Sequence, residues 1–402
     1  MAIDTAVIGV CAMNSLLSYA DIATGNNVDE RLRQLFQKLP LHGGDVEAAA
    51  ARYGIPLADW IDLSTGMNPQ SYPIPEIPIQ AFRELPYWRP EFLQAAEKYY
   101  AQSTFVPVSG SQQAIQALPN VLIEVGHCDV LLPAVGYQEH ARQWDNSGAN
   151  LAYYASLSQH DMCKDIDARL ATNSAQHLIV IRPNNPTAVE VPNERLCSWA
   201  ETLSKGSYLI VDEAFIDIGH QSLLTMDVVP SNVIVMRSFG KFFGLAGIRL
   251  GFVFANERIV GKLTDIVGIW QINGPAQAIA TVAMNDMGWQ KNARQRITIN
   301  SALMKQLLDP LKRHLNLKES VSASLFSSYE MDIDLALALN DVLSKLGLLT
   351  RVIILGSNRA FLRFGCISAD NDEERARISQ AVEILCTLNT VAAMLDYQVD
   401  VS

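Results

Sequence analysis

Five short apolar runs, each followed closely by polar residues, restrict what this chain can fold into more than any other feature. They are "DVLLPAVGY" (129–137), "HLIVIRPNNP" (177–186), "YLIVDEAF" (208–215), "NVIVMRSFG" (232–240) and "RLGFVFA" (249–255). Between two of them, "NERLCSWAETLSKG" reads as a helix capped by Asn193 and stopped by Gly206. Continuous apolar strands separated by helices belong to parallel sheets buried on both faces, so the expected class is α/β with a mostly parallel sheet. Tyr137, Asn185, Asp212, Ser238 and Lys241 stand at the C-terminal ends of these runs. Open α/β sheets bind ligands in the crevice outside those ends. One site assembled from distant segments follows.

After about residue 286 the pattern changes. A long polar helix leads to "SASLFSSYEM", a further helix, "LLTRVIIL", "AFLRFGCI" and a last helix from about Asp372. The expected organisation is an N-terminal extension (1–41), a segment packing with the small domain (42–70), a large domain (71–286) and a small C-terminal α/β domain (287–402). With 402 residues, 49% of them hydrophobic and 18% charged, the chain is long and apolar enough for this. Its net charge of −11, without any Lys/Arg run, argues against nucleic-acid or anionic-membrane binding. Six scattered cysteines without a CxxC pair suit a reducing compartment. The opening "MAIDTAVIGVCAMNSLLSYAD" has neither the basic start of a signal peptide nor the apolar length of a membrane span. A cytoplasmic protein is expected.

Lys241 lies in "SFGKFFGLAGIRLG" with no acidic residue nearby in sequence. Burial disfavours a lysine's charged form, leaving a nucleophilic amine; the ordinary alternative is a stem packed on the core with its ammonium in solvent. Ser238 and Arg249 supply donors suited to a phosphate. In "PVSGSQQAIQAL", Gly110 and Ser111 open a short helix whose first amides would face an anion, although a Ser-capped helix reads the same way. Asp212, ending an apolar strand, needs a cationic partner: a protonated pyridine nitrogen, or the metal of a nucleotide triphosphatase. The latter requires a G-x-x-x-x-G-K-[ST] loop, which is absent. Asn185 offers a hydrogen bond to a ring oxygen or simply a turn, and Tyr137 a stacking ring or a core side chain. The seven histidines lack metal-ligand spacing, and no metal is expected.

In their order, "NNPT", "DEAF" and "SFGKFFGLAGIRLG" resemble the fold-type I pyridoxal-phosphate enzymes of the aminotransferase class I/II group, over about residues 42–390. The resemblance implies a large domain built on a seven-stranded sheet, a smaller C-terminal domain, pyridoxal 5'-phosphate as cofactor, and a homodimer. Lys241 would be the Schiff-base lysine and the proton-transfer group. Asp212 would pair with the pyridine nitrogen, Asn185 with the ring oxygen, and Tyr137 would stack on the ring. Gly110, Ser111, Gln112, Ser238 and Arg249 would hold the phosphate, and Arg363, in "FLRFG", the substrate carboxylate.

Within the group, "LHGGDVEAAA", "WIDLSTGMNP" and "DEAFIDIG" resemble the threonine-phosphate decarboxylases of cobalamin biosynthesis, relatives of the histidinol-phosphate aminotransferases. By that resemblance His42, Gly43 and Arg351 bind a small phosphorylated amino acid, and Gly66 lines the pocket. There are departures. Phe215 cannot donate to the ring oxygen, as in the decarboxylases. Leu85, with Tyr87 nearby, stands where many relatives carry the tyrosine that reaches the partner subunit, and Gly66 where some decarboxylases carry Asn. The expected reaction is decarboxylation of L-threonine O-3-phosphate. The alternatives are transamination of histidinol phosphate or a similar compound, and, from another class, a non-catalytic or nucleotide-hydrolysing α/β protein.

Overall fold

The structure, a computed structural model, describes residues 29–356 and 358–399. Residues 1–28, including Cys11 and most of the expected extension, and the end of the C-terminal tail lie outside the described residues. The described chain forms two compact units, residues 70–294 and residues 29–69 with 295–399. The division falls inside the helix Met287–His314 rather than at its start.

The larger unit is built on seven strands: β1 Phe105–Val108, β2 Asp129–Pro133, β3 Asn150–Tyr154, β4 His177–Ile181, β5 Leu209–Asp212, β6 Val233–Ser238 and β7 Gly251–Phe254. Their spatial order is β1-β7-β6-β5-β4-β2-β3. All neighbours pair in parallel except β7, which runs antiparallel to both β1 and β6. Strands β4, β5 and β6 are buried at every position, as their unbroken apolar runs require. One core joins the sheet to the helices Ser111–Val125 and Glu257–Val267 through residues such as Ile115, Leu122, Ile234 and Leu263. The helix at 193 differs from expectation: it spans Asn193–Thr202 with Pro192, not Asn193, as its cap. Asn193 instead accepts a hydrogen bond from Arg182 and donates one to the Ser222 carbonyl.

The smaller unit holds an antiparallel sheet of β8 Val321–Ser322, β9 Phe326–Asp332, β10 Arg351–Gly356 and β11 Arg359–Gly365, ordered β10-β11-β9-β8. Helices Ile333–Lys345 and Asp372–Leu385 share its core. So does Glu30–Gln37, which Asp29 caps and which buries Leu32 and Phe36. Residues 29–41, expected to belong to an extension, are therefore part of this unit. Ile61–Asp62 pairs in parallel with Leu348–Leu349, tying the 42–69 segment to the same body.

Candidate active site

Strand polarity explains how the site is assembled. Tyr137 follows β2 and Asn185 follows β4, while Asp212 and Ser238 are the last residues of β5 and β6. Because β7 is reversed, its entry lies at the same sheet edge, bringing Arg249 to these residues. Gly110, Ser111, Gln112, Tyr137, Asn185, Asp212, Ser238, Lys241 and Arg249 all line one cavity of about 170 Å³. The strand order reverses between β2 and β4, so the cavity lies where such crevices form.

Lys241 sits on the five-residue helix Phe239–Phe243, too short to persist without packing. Phe239 stacks on Phe243 at 4.2 Å, and Phe243 stacks on Trp289 at 5.5 Å. The Phe run thus anchors the helix and aims Lys241 into the cavity, with its Nζ 5.4 Å from the Phe215 ring centroid. The helix after β1 runs from Ser111 to Val125, longer than expected, and Gly110 precedes it without a side-chain cap. Gly110 has φ +73°, and a Cβ there would lie 2.6 Å from Arg249 Nη2. Glycine thus allows both the turn and the close approach of the guanidinium. A helix start and an arginine converge on one spot, as a bound phosphate requires.

Asp212 is held on both oxygens. Oδ1 accepts from the Ala214 amide at 3.0 Å, and Oδ2 lies 3.0 Å from His140 Nε2. Gln112 donates to Glu139 at 2.7 Å and accepts from the Tyr137 hydroxyl at 3.1 Å. Sequence reasoning missed His140 and Glu139, since "GYQEHARQW" looks like an ordinary helix start. It also left Glu213 unexplained. That carboxylate is fully buried and receives Arg182 at 2.5 Å, the Ser222 hydroxyl at 2.5 Å and the Leu223 amide at 2.8 Å, with Arg237 at 3.6 Å. Arg237 also pairs with Asp217.

The remaining candidates, His42, Gly43, Gly66, Arg351 and Arg363, belong to the smaller unit. Arg351 and Arg363 are directly opposite one another on β10 and β11. Arg351 donates to the carbonyls of Pro40 and Leu41, and Arg363 to that of Ser64. Burial, reinforced by the charge of Arg351, lowers the Arg363 guanidinium to about 10. His42 is exposed and Gly66 buried.

A doubly covered α/β sheet with a lysine, an aspartate and a phosphate-type cradle around one cavity defines a cofactor-binding enzyme fold. Its sequence matches the aminotransferase class I and II family over residues 60–382, and the chain belongs to that family. It is 39% identical to the threonine-phosphate decarboxylase of Pseudomonas aeruginosa over 311 residues, 77% of this chain and 88% of that protein. It is 26% identical to histidinol-phosphate aminotransferase 3 of Mesorhizobium japonicum over 264 residues, 62% of this chain and 69% of that protein. In fold it is similar to the crystal structure of the histidinol-phosphate aminotransferase from Sinorhizobium meliloti in complex with pyridoxal-5'-phosphate. The TM-score is 0.69 at 20% identity, covering 90% of this chain and 99% of that one. The protein is a pyridoxal-phosphate-dependent enzyme with a fold-type I architecture. The cavity fits this cofactor chemically: an amine for its aldehyde, a carboxylate for its ring nitrogen, and a guanidinium, a hydroxyl and a helix start for its phosphate.

Proposed function

We propose that the protein decarboxylates L-threonine O-3-phosphate to (R)-1-amino-2-propanol O-2-phosphate and carbon dioxide, as a cytoplasmic enzyme of cobalamin biosynthesis. The greater likeness to the threonine-phosphate decarboxylase than to the histidinol-phosphate aminotransferase carries this reading. Bound pyridoxal phosphate supplies an electron sink for the pair released when a bond to the substrate Cα breaks. In this reading Lys241 holds the cofactor and afterwards returns the proton to Cα. Asp212, oriented by His140 and Ala214, keeps the ring nitrogen protonated, and Asn185 donates to the ring oxygen. Tyr137 covers the ring, while Gly110, Ser111, Gln112, Ser238 and Arg249 hold its phosphate. Arg363 grips the substrate carboxylate and so selects the bond presented for cleavage. Arg351, His42 and Gly43 serve the substrate phosphate, and Gly66 leaves room in the pocket.

Incubation of the purified holoenzyme with L-threonine O-3-phosphate is expected to release carbon dioxide stoichiometrically with the amine. Amino transfer from histidinol phosphate to 2-oxoglutarate, without carbon dioxide from threonine phosphate, would replace the decarboxylase by the aminotransferase reading. We also propose a homodimer, because a group of large apolar side chains on the larger unit is exposed: Phe82, Leu85, Tyr87, Ile269 and Trp270.

A further inference from the structure

Within the smaller unit, residues 40–44 form a strap fixed at two points. At one end Arg351 donates to the carbonyls of Pro40 and Leu41. At the other, the Gly44 amide donates to Ser64 Oγ at 2.7 Å. His42 and Gly43 lie between these points. The fit at the second is close, since a Cβ on Gly43 would lie 2.4 Å from the Ser64 carbonyl oxygen. Ser64 is itself held rigidly. Its amide and hydroxyl both donate to Asp62 Oδ1, at 2.8 and 2.6 Å, and the residue is 1% exposed. The Ser64 carbonyl accepts the guanidinium of Arg363. One buried residue therefore fixes the strap through its hydroxyl and Arg363 through its carbonyl.

We propose that Ser64 is a specificity-determining positioning residue: it sets the strap that carries His42 in register with Arg363, so that a phosphorylated amino acid is preferred over its unphosphorylated parent. This rests on the reading of His42 and Arg363 as substrate-binding residues. The two functions of Ser64 are separable by mutation. Ser64→Ala removes the strap's acceptor and keeps the carbonyl that holds Arg363. Where that one neutral internal hydrogen bond holds the strap in position, its loss is expected to weaken binding of the phosphorylated compound by at most roughly five- to tenfold.

The test compares wild-type, Ser64→Ala and Ser64→Cys holoenzymes. Binding of L-threonine O-3-phosphate and of L-threonine is followed by the visible absorbance of the bound cofactor, and amide hydrogen exchange is measured across residues 40–44. In Ser64→Ala the half-saturating concentration of the phosphorylated compound is expected to rise by at most roughly five- to tenfold while that of L-threonine stays within about twofold. Exchange at 40–44 is expected to accelerate while β9–β11 stay protected, with Ser64→Cys intermediate. An equal loss for both compounds, or unchanged exchange in the strap, overturns the proposal. Failure of both variants to fold overturns it too, because Ser64 would then serve the fold rather than the register. If the wild-type protein ignores threonine phosphate, the proposed function fails, and strap exchange alone decides for or against Ser64.

Discussion

Arg363 is only 7% exposed, and burial next to Arg351 lowers its guanidinium to about 10, still charged at neutral pH. The depressed value means that holding this charge in the fold costs about 3 kcal/mol at any pH well below 10. An anionic substrate beside the two arginines, as the proposed function requires, would offset that cost. Removing the guanidinium relieves that cost but leaves the buried Ser64 carbonyl without its donor, a loss of about 1–3 kcal/mol. The two effects are of similar size and opposite sign, so Arg363→Met is expected to melt close to the parent by calorimetry while losing turnover; a large fall in melting temperature would show that the guanidinium supports the fold. Gly110 presents a different balance. In Gly110→Ala the new methyl would meet the far end of Arg249, an exposed side chain able to swing aside. The protein should thus lose only about 1 kcal/mol, mostly from the positive φ. If Arg249 holds the cofactor phosphate as proposed, displacing it removes a charge-assisted donor, and equilibrium dialysis should show pyridoxal phosphate bound roughly tenfold more weakly. Unchanged affinity would remove Arg249 from the phosphate site.

Neighbouring strands are tied together by buried polar groups next to the site. Glu213 follows Asp212 and bridges Arg182, just past β4, to Arg237 on β6. Removing one partner of such a network leaves uncompensated charge, which costs about 3–5 kcal/mol. Glu213→Leu should lower the unfolding free energy by that order in denaturant titration, and a loss below 1 kcal/mol would show that the arginines are satisfied without it. His177, at the start of β4, ties the sheet through its ring: Nε2 pairs with the His127 carbonyl at 2.9 Å and Nδ1 accepts the Tyr208 amide at 3.1 Å. Burial, opposed by that carbonyl, lowers its pKa to about 4 from 6.5. The unfolded chain binds the proton first, so stability is full above about pH 6.5 and falls as pH drops towards 4, by about 3 kcal/mol in all. His177→Leu, although less stable, should lack that part of the pH slope. The same elements show how much the sequence discloses. Strands β2, β4, β5, β6 and β7 announce themselves because burial on both faces demands unbroken apolar runs. The edge strands do not: β3 is exposed or half-buried at four of its five positions, and β1 has four residues with a proline among them. Lys241, Asp212 and Asn185 stand out as polar residues at apolar strand ends. His140, Glu213 and Ser64 act through partners 72, 31 and 299 residues away, which only the folded chain brings together.

On the scale of the molecule, the question is what covers the apolar face of the larger unit. Phe82 and Leu85 are each 62% exposed, Tyr87 57% and Trp270 50%. Tyr87 and Trp270 pack edge to face, with centroids 5.8 Å apart. Gln277 holds the loops beneath them: it accepts from the Arg89 amide at 3.0 Å and donates to the Pro86 and Ile272 carbonyls at 3.3 and 3.0 Å. Soluble monomers rarely present a group of aromatic and aliphatic side chains on so well fixed a base, whereas a twofold interface buries its own copy of the same patch. Aromatic anchors at the centre of such an interface commonly carry 2 kcal/mol or more each, and a carboxylate placed there must be desolvated without a partner. Trp270→Glu and Phe82→Glu are therefore each expected to weaken self-association by roughly thirtyfold or more. Sedimentation velocity at micromolar concentration should find a dimer for the parent and a substantial monomer fraction for either variant. The isolated fold should survive, since both side chains lie outside the core. A parent protein that sediments as a monomer would sink the homodimer proposal and leave this patch to another partner.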